Sequence, residues 1–396
     1  MSFNFIDAIT EEFEDKKLGK EVDYFGFHST GNAVLDLFLG GRDPETGIVH
    51  PGIPYGKMIT IVGPSSSGKT TLALKIAFSI IEPFGGRGAI IHDDFERATE
   101  RSRVKTISGL TDAELKSIYT HVNNEDLFTE NVYNQAEAIA ELKTKHMDKL
   151  IVEYPHPLYG DEVMYRTIAP TVILIDSQAA MVSRKIMDTD GMEQNNMAGS
   201  QQASLNAQMY NRLNTLLRAF NIIPIVINHV TTKVKTGMFP DKPIVPFLKP
   251  DENLPGGVKS IYLSDTLLKV TGGPKLEKEK EYGIKGSRND IQIIKSRSNE
   301  AGKTFKSIFN FSQGFSNALT IYEFLKANKL ITGAGRSFKL SNLPDVKFSQ
   351  KQFEELFETS EDVQQAVYEL LYSDEIVNQI VPDVSFEDKG DFLTEE

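Results

Sequence analysis

The hydrophobic residues of this chain change period from segment to segment. Lys57-Met58-Ile59-Thr60-Ile61-Val62 is a short apolar and β-branched run, whereas Leu72, Ala73, Ile76, Ala77 and Ile80 behind it recur at helical spacing, which predicts a strand followed by a helix. Further buried strands are predicted at Ala89-Ile90-Ile91, at Thr171 to Ile175 and at Ile222 to Ile227. A helix with Leu205, Met209, Leu213, Leu216, Leu217 and Phe220 on one face separates the last two. Strands around Thr266 to Thr271 and Asp290 to Ile294 should extend the sheet. Apolar strands alternating with helical patterns predict an α/β fold with a mostly parallel central sheet flanked by helices.

Around this core, Phe3, Ile6, Ile9 and Phe13, with acids between them, predict an amphipathic helix within residues 1–27. It packs either on its own domain or on a neighbouring subunit. Thr111 to Tyr119 and Tyr133 to Met147 read as helices, and Glu153 to Ala169, with Pro155, Pro157 and Gly160, as a loop or insertion. Two polar, Gly- or Pro-bearing stretches, 183–200 and 231–255, read as long loops, and Lys275 to Lys285 as a solvated hairpin. From Leu319 onward apolar stripes such as Phe353, Leu356, Phe357 and Val363, Val367, Leu370 predict a small helical domain, 319–382, after a core of 28–318. Residues 383–396 read as an acidic, disordered tail.

At 396 residues and 40% hydrophobic the chain can bury a sizeable core, and without cysteine it has neither disulfides nor thiolate metal sites. No apolar run approaches the roughly 20 residues that span a bilayer. The first residues, with Glu11, Glu12, Glu14 and Asp15, do not read as a signal peptide, so a cytoplasmic protein with no membrane partner is expected. The net charge of −12 argues at first against a nucleic-acid partner, but residues 341–396 hold 15 acidic against 3 basic residues, a difference of −12. Residues 231–306 hold 15 basic against 9 acidic, or +6, so a positive face coexists with an acidic end.

Gly63-Pro64-Ser65-Ser66-Ser67-Gly68-Lys69-Thr70-Thr71 matches G-x-x-x-x-G-K-[ST] at every fixed position, between the predicted strand and helix that this motif requires. Backbone N–H groups from Ser65 to Thr70 would surround a β-phosphate at the positive end of the helix. Lys69 would reach the β/γ oxygens, and the Thr70 hydroxyl would ligate Mg²⁺. Asp93-Asp94-Phe95-Glu96 closes the next strand, where carboxylates face the ligand crevice of a parallel sheet. Glu96 there is either a general base that aligns water or part of a solvated acidic turn. Asp176 closes another apolar strand and would hold the Mg²⁺ through water. Asn228-His229 ends a third, with His229 either a reporter of the γ-phosphate or a structural histidine. In 231–255 five prolines accompany Lys233, Lys235, Lys242 and Lys249; Met238 or Phe239 would insert between bases, unless the stretch is a linker. Lys295-Ser296-Arg297 lies past a strand end, as cations for a neighbouring subunit's γ-phosphate or as a solvated basic patch.

The order of these parts over about residues 28–315 resembles the RecA family of DNA recombinases. The matching stretches are Ser29-Thr30-Gly31 with Leu35-Asp36, the phosphate loop, Asp94-Phe95-Glu96, Val172 to Ser177, Ile227-Asn228-His229, Gly256-Gly257 and Lys295-Ser296-Arg297. The resemblance implies a RecA-like ATPase core, ATP and Mg²⁺ as cofactors, and self-association into helical filaments on single-stranded DNA that pair with double-stranded DNA and exchange strands. Mediator and single-stranded-DNA-binding proteins would be partners. It assigns phosphate and magnesium binding to Lys69 and Thr70, the hydrolytic water to Glu96 and the metal site to Asp176. His229 falls where bacterial members carry glutamine and phage members histidine, and a phage-encoded protein would act in the host cytoplasm. The stretches 183–200, with Met192 and Met197, and 231–255, with Lys233, Lys235, Met238 and Phe239 and followed by Gly256 and Gly257, would be the DNA-binding loops. Lys295 and Arg297 would act across the filament interface. The alternatives are a hexameric helicase-type ATPase and a non-catalytic, ATP-gated DNA-binding protein.

Overall fold

The structure, a computed structural model, describes residues 24–188, 195–232, 243, 245–277, 281–335 and 337–382, and of residues 195–198 the backbone alone. The expected N-terminal helix over Phe3 to Leu18 and the tail 383–396 lie outside the described residues, as do Met192, Lys233, Lys235, Met238, Phe239 and the Met197 side chain.

Nine strands form the central sheet: β1 (Ile59–Gly63), β2 (Ala89–Asp94), β3 (Tyr119–Val122), β4 (Thr171–Asp176), β5 (Ile222–His229), β6 (Thr266–Thr271), β7 (Gly286–Lys295), β8 (Thr304–Asn310) and β9 (Gly314–Ser316). Their spatial order is β9-β8-β7-β6-β1-β5-β4-β2-β3. The six strands from β6 to β3 run parallel, and β7, β8 and β9 add an antiparallel edge. The fold is therefore mixed α/β with a mostly parallel sheet.

The parallel strands are apolar throughout because both faces are covered. Within β4, Val172 and Leu174 join the cluster beneath α1 (Lys69–Ile81), while Ile173 and Ile175 face the other way, towards α2 (Thr129–Lys145) and α3 (Asn195–Phe220). Met209, Tyr210, Leu213 and Leu217 of α3 meet Ile222 and Val226 of β5 and Val132 and Ala136 of α2 there. Each fully buried Leu or Ile contributes roughly 1.5–3 kcal/mol relative to exposure, so this two-sided burial fixes strand register as well as stability. No described helix is long and apolar enough to cross a membrane.

Four expectations change. Residues 153–169 are not a loop: Ile151–His156 and Gly160–Ile168 pair as an antiparallel hairpin outside the central sheet. Pro155, which lacks an N–H, sits at the register shift, and the hairpin gains aromatic packing instead, with buried Tyr165 against Tyr154, Phe25 and Phe27. The stretch 183–200 contains a helical turn, Arg184–Met187, and its last six residues belong to α3. Part of 231–255 is packed, with Val245, Leu248 and Leu254 buried against Val62, Ile261, Leu267 and Ile294, and Thr231–Thr232 pairs with Glu252–Asn253. Beyond α4 (Asn317–Ala327) the chain is not helical alone, since Ile331–Ala334 and Ser337–Leu340 form a hairpin. Val363, Val367, Leu371 and Val381 there join the same buried cluster as Leu35 and Ile76.

Candidate active site

Parallel pairing decides which side chains meet. β1 lies between β5 and β6, with His229 opposite Gly63, and β4 pairs with β2 so that Asp176 stands opposite Asp94. The carboxyl ends of β1, β2, β4 and β5 thus deliver the phosphate loop, Glu96, Asp176 and His229 to one crevice.

The loop from Gly63 to Thr71 is shaped by two glycines. A Cβ on Gly63 would collide with the Val270 carbonyl, and Gly68 has φ +92° with the Phe315 ring 3.3 Å from where its Cβ would be. Asn289 Nδ2 donates to the Ser67 carbonyl at 3.1 Å and holds the loop from behind. Lys69, buried at the first position of α1, donates to the Pro64 carbonyl at 2.7 Å across the loop. Burial lowers its ammonium pKa, against the charges of Asp176 and Glu96. Pro64, Ser65 and Ser66 are exposed, and the buried Ser67 Oγ has no hydrogen-bond partner, so the loop offers a donor and a strip of backbone to a phosphate. Thr71, one residue on, receives the Arg103 guanidinium at 3.3 Å, and the same side chain reaches the carbonyls of Phe311 and Ser312 at 3.2 and 2.8 Å.

Thr70 Oγ1 donates to Asp176 Oδ2 at 2.8 Å. Burial, reinforced by the charges of Glu96 and Asp94, pushes the Asp176 carboxyl up to about 6. Among the described residues no group of three His, Asp or Glu side chains could hold a metal ion by itself. One hydroxyl and one carboxylate beside a phosphate loop fit a hard cation that takes its remaining oxygens from nucleotide and water, as magnesium does.

Glu96 Oε1 accepts from His229 Nε2 at 2.8 Å and, in a short hydrogen bond, from Ser177 Oγ. Burial raises the Glu96 carboxyl, but these two donors and Lys69 outweigh it and hold the group below the usual range. Asp94, pushed up by burial, is likewise held low by His121 Nε2 at 3.2 Å and the N–H groups of Thr99 and Ala98. Asp93, in contrast, turns away to Gln135 at 2.9 Å and is pushed up to about 6 by burial.

The structure brings Lys69, Thr70, Glu96, Asp176 and His229 together and does not bring Lys295 and Arg297 to them. In the antiparallel β7, Lys295 pairs with Leu267, which pairs with Thr60, so it stands at the end of the sheet opposite the phosphate loop. There Lys295 Nζ donates to the carbonyls of Ile261, Tyr262 and Ser264 at 2.9, 2.9 and 2.7 Å, and exposed Arg297 to Tyr262 at 2.8 Å. Gly256 and Gly257 lie beside the buried amides of Gln178, Asn206 and Asn228. Ser177 and Asn228 fall within matching stretches of the sequence but carry no role of their own there, and Asn289, Gln178 and Asn206 are not singled out. The one available signal was a polar residue at the end of an otherwise apolar strand, at Asn228.

No protein-family model matches the chain. Curated proteins do. It is 27% identical over 345 residues to the protein named RecA of Caldanaerobacter subterraneus, covering 86% of this chain and 83% of that protein. The protein named RecA of Mycoplasma mobile is 25% identical over 394 residues, 96% of each. The mitochondrial DNA repair protein recA homolog 3 of Arabidopsis thaliana is 26% identical over 313 residues, 79% of this chain and 60% of that protein. Similarity of this extent to proteins named RecA, joined to the sheet order and the crevice above, supports the RecA family for this chain.

Proposed function

We propose that the chain is an ATP-dependent homologous recombinase, of the kind exemplified by the bacteriophage recombinase UvsX, which its sequence resembles. It forms helical filaments on single-stranded DNA, hydrolyses ATP in response to that DNA, and exchanges strands with a homologous duplex. The observation that carries the reading is the contact of His229 and Ser177 with Glu96, one strand end away from the phosphate loop and from the Thr70–Asp176 pair.

In this reading the loop N–H groups and Lys69 bind the phosphates, and Thr70 and Asp176 hold Mg²⁺, which screens phosphate charge. The Glu96 carboxylate orients water and accepts its proton as the water oxygen attacks the γ-phosphorus and the bond to the ADP oxygen breaks. Held below the usual carboxylate range, Glu96 is ionised and ready to accept at neutral pH. His229, bonded to Glu96 and one residue from Asn228, senses the terminal phosphate and passes its presence towards Gly256 and Gly257. Lys295 and Arg297, at the far end of the sheet, act on the nucleotide of the neighbouring subunit. Residues 28–318 form the ATPase core, with 183–200 and 231–255 as DNA loops and Met192, Met197, Lys233, Lys235, Met238 and Phe239 as contacts. Residues 1–27 dock on a neighbour, 319–382 form a small domain, and 383–396 compete with DNA for the basic loops.

Strand exchange between circular single-stranded DNA and linear duplex tests this, with ATP and Mg²⁺ and with homologous and heterologous duplex compared. Products with the homologous duplex alone are expected. Closed rings in electron micrographs and no exchange would overturn the reading.

A further inference from the structure

The turn that closes the second long loop is gripped in an unusual way. Three consecutive carbonyls, of Pro255, Gly256 and Gly257, each accept a buried side-chain amide. Asn228 Nδ2 reaches Pro255 at 2.8 Å, Asn206 Nδ2 reaches Gly256 at 2.9 Å, and Gln178 Nε2 reaches Gly257 at 2.9 Å and Pro255 at 3.2 Å. A Cβ on Gly256 would sit 2.9 Å from Gln178 Cγ at φ +80°, so the turn fits this cradle only as glycine.

The cradle continues to the other long loop. Asn206 Oδ1 accepts from Gln202 Nε2 at 2.7 Å, and Gln202 Oε1 accepts the Ser183 N–H at 2.9 Å, where the first loop leaves the core. On the opposite side Asn228 is next to His229, whose imidazole holds Glu96. Hydrogen bonds therefore run in series from Ser183 through Gln202 and Asn206 to Gly256, and from Pro255 to Asn228, whose neighbour along the backbone, His229, contacts the site carboxylate. Asn206, Gln178 and Asn228 are each 1% exposed, so an amide that loses its partner has no water to turn to. A shift of the glycine turn is then transmitted along the series instead of being absorbed by solvent.

We infer that Asn206 and Gln202 are positioning residues that fasten the two polynucleotide loops into one switching unit, so that a nucleotide-driven movement at Pro255–Gly257 reaches the first loop through α3. The inference rests on the nucleotide-gated reading above and adds which side chains carry the gate from one loop to the other.

Deuterium exchange of the full-length protein, with and without a non-hydrolysable ATP analogue and Mg²⁺, tests it in segments 179–188 and 252–258. The wild type is expected to change exchange in both segments when the analogue binds. In Asn206→Leu, which keeps the branching of the side chain and lacks its amide contacts, segment 252–258 should keep its response through Asn228 and Gln178. The response of segment 179–188 should fall at its Ser183 end, where Gln202 holds the backbone, and what remains should be confined to the residues beside Gln178, which keeps its own bonds to Pro255 and Gly257. A purely packing role for Asn206 would alter both segments equally and without regard to nucleotide, and that result overturns the inference. Equal nucleotide responses in variant and wild type overturn it too, with the nucleotide-gated reading left standing. A wild type indifferent to the analogue in both segments overturns both. Should Asn206→Leu not fold, Gln202→Met cuts the series one step nearer the first loop, where the side chain is partly exposed, and the same outcomes apply.

Discussion

His229 Nε2 stands 2.8 Å from Glu96 Oε1, although the two residues are 133 positions apart and end different strands. The imidazole therefore supports the acid expected to handle water, and a phosphate oxygen that enters would compete with Glu96 for the ring N–H. Replacing it by leucine removes one of the donors that hold the Glu96 carboxyl low. The acidic limb of the pH profile of ATP turnover should then move to higher pH in His229→Leu, with Ser177→Ala moving it the same way. Profiles measured from pH 4.5 to 8 under saturating DNA decide this, and an unmoved limb would separate His229 from the acid.

Glu96→Gln keeps the size and most contacts of the side chain and removes the proton acceptor. Phosphate release should fall by about 10²–10⁴-fold, the usual worth of a positioned base, while ATP-dependent DNA binding persists. Phosphate release and filter binding on the same preparation provide the check.

Asp176 titrates near 6 when buried beside Glu96 and Asp94. Magnesium binds the ionised form, so below about pH 6 it must displace a proton. Affinity for the magnesium nucleotide should then fall by up to about tenfold per pH unit, while above about pH 7 it should be level. Calorimetric titrations at pH 5, 6, 7 and 8 check the sign, and Asp176→Asn should flatten the dependence as well as weaken binding.

Lys295 and Arg297 cannot serve their own nucleotide, being at the opposite end of the sheet from Gly63. Glu96→Gln protein and a Lys295→Met/Arg297→Met protein should each be inactive alone. Mixed in equal amounts they should regain turnover, since about a quarter of randomly assorted interfaces pair an intact Glu96 with intact cations. The mixing experiment refutes action between subunits if no activity returns.

Lys269 donates to both oxygens of Glu252, at 2.5 and 2.7 Å, and ties the base of the second loop to β6. Both side chains are largely buried, so Lys269→Met leaves a carboxylate without its partner. It should destabilise the protein by about 3–5 kcal/mol, and the double variant with Glu252→Gln should recover much of this. Chemical denaturation measures it, and limited proteolysis should place the first new cuts between residues 231 and 255.

The parts of the site that were legible in the sequence are those whose chemistry is local. Gly63 to Thr71 declares itself because loop, cation and hydroxyl must be contiguous to wrap one phosphate, and Asp176 because an apolar run ends on an acid. The amides were not legible. Asn228 and Gln178 bond to Pro255 across 27 and 77 positions, and nothing in an Asn or Gln says which carbonyl it will meet. Lys295 reads in the sequence as a cation for a neighbouring subunit's γ-phosphate or as part of a solvated basic patch, and its distance from its own phosphate loop was not legible, because only the antiparallel run of β7 puts its end where the parallel strands begin. The hairpin at 151–168 was hidden by its prolines, whose missing N–H groups matter little where aromatic faces supply the packing.

The apolar cluster that holds Leu35 and Ile76 is completed by Val363, Val367, Leu371 and Val381. A deletion aimed at the acidic end consequently has a floor: stopping the chain at residue 382 removes six of the acids after 340 and spares every one of these side chains. A stop near residue 340 would peel away a wall of the interior, and any gain in DNA affinity would then be confounded with unfolding. Charge and scaffold can be separated at the far terminus only by cutting after the last valine that faces inward.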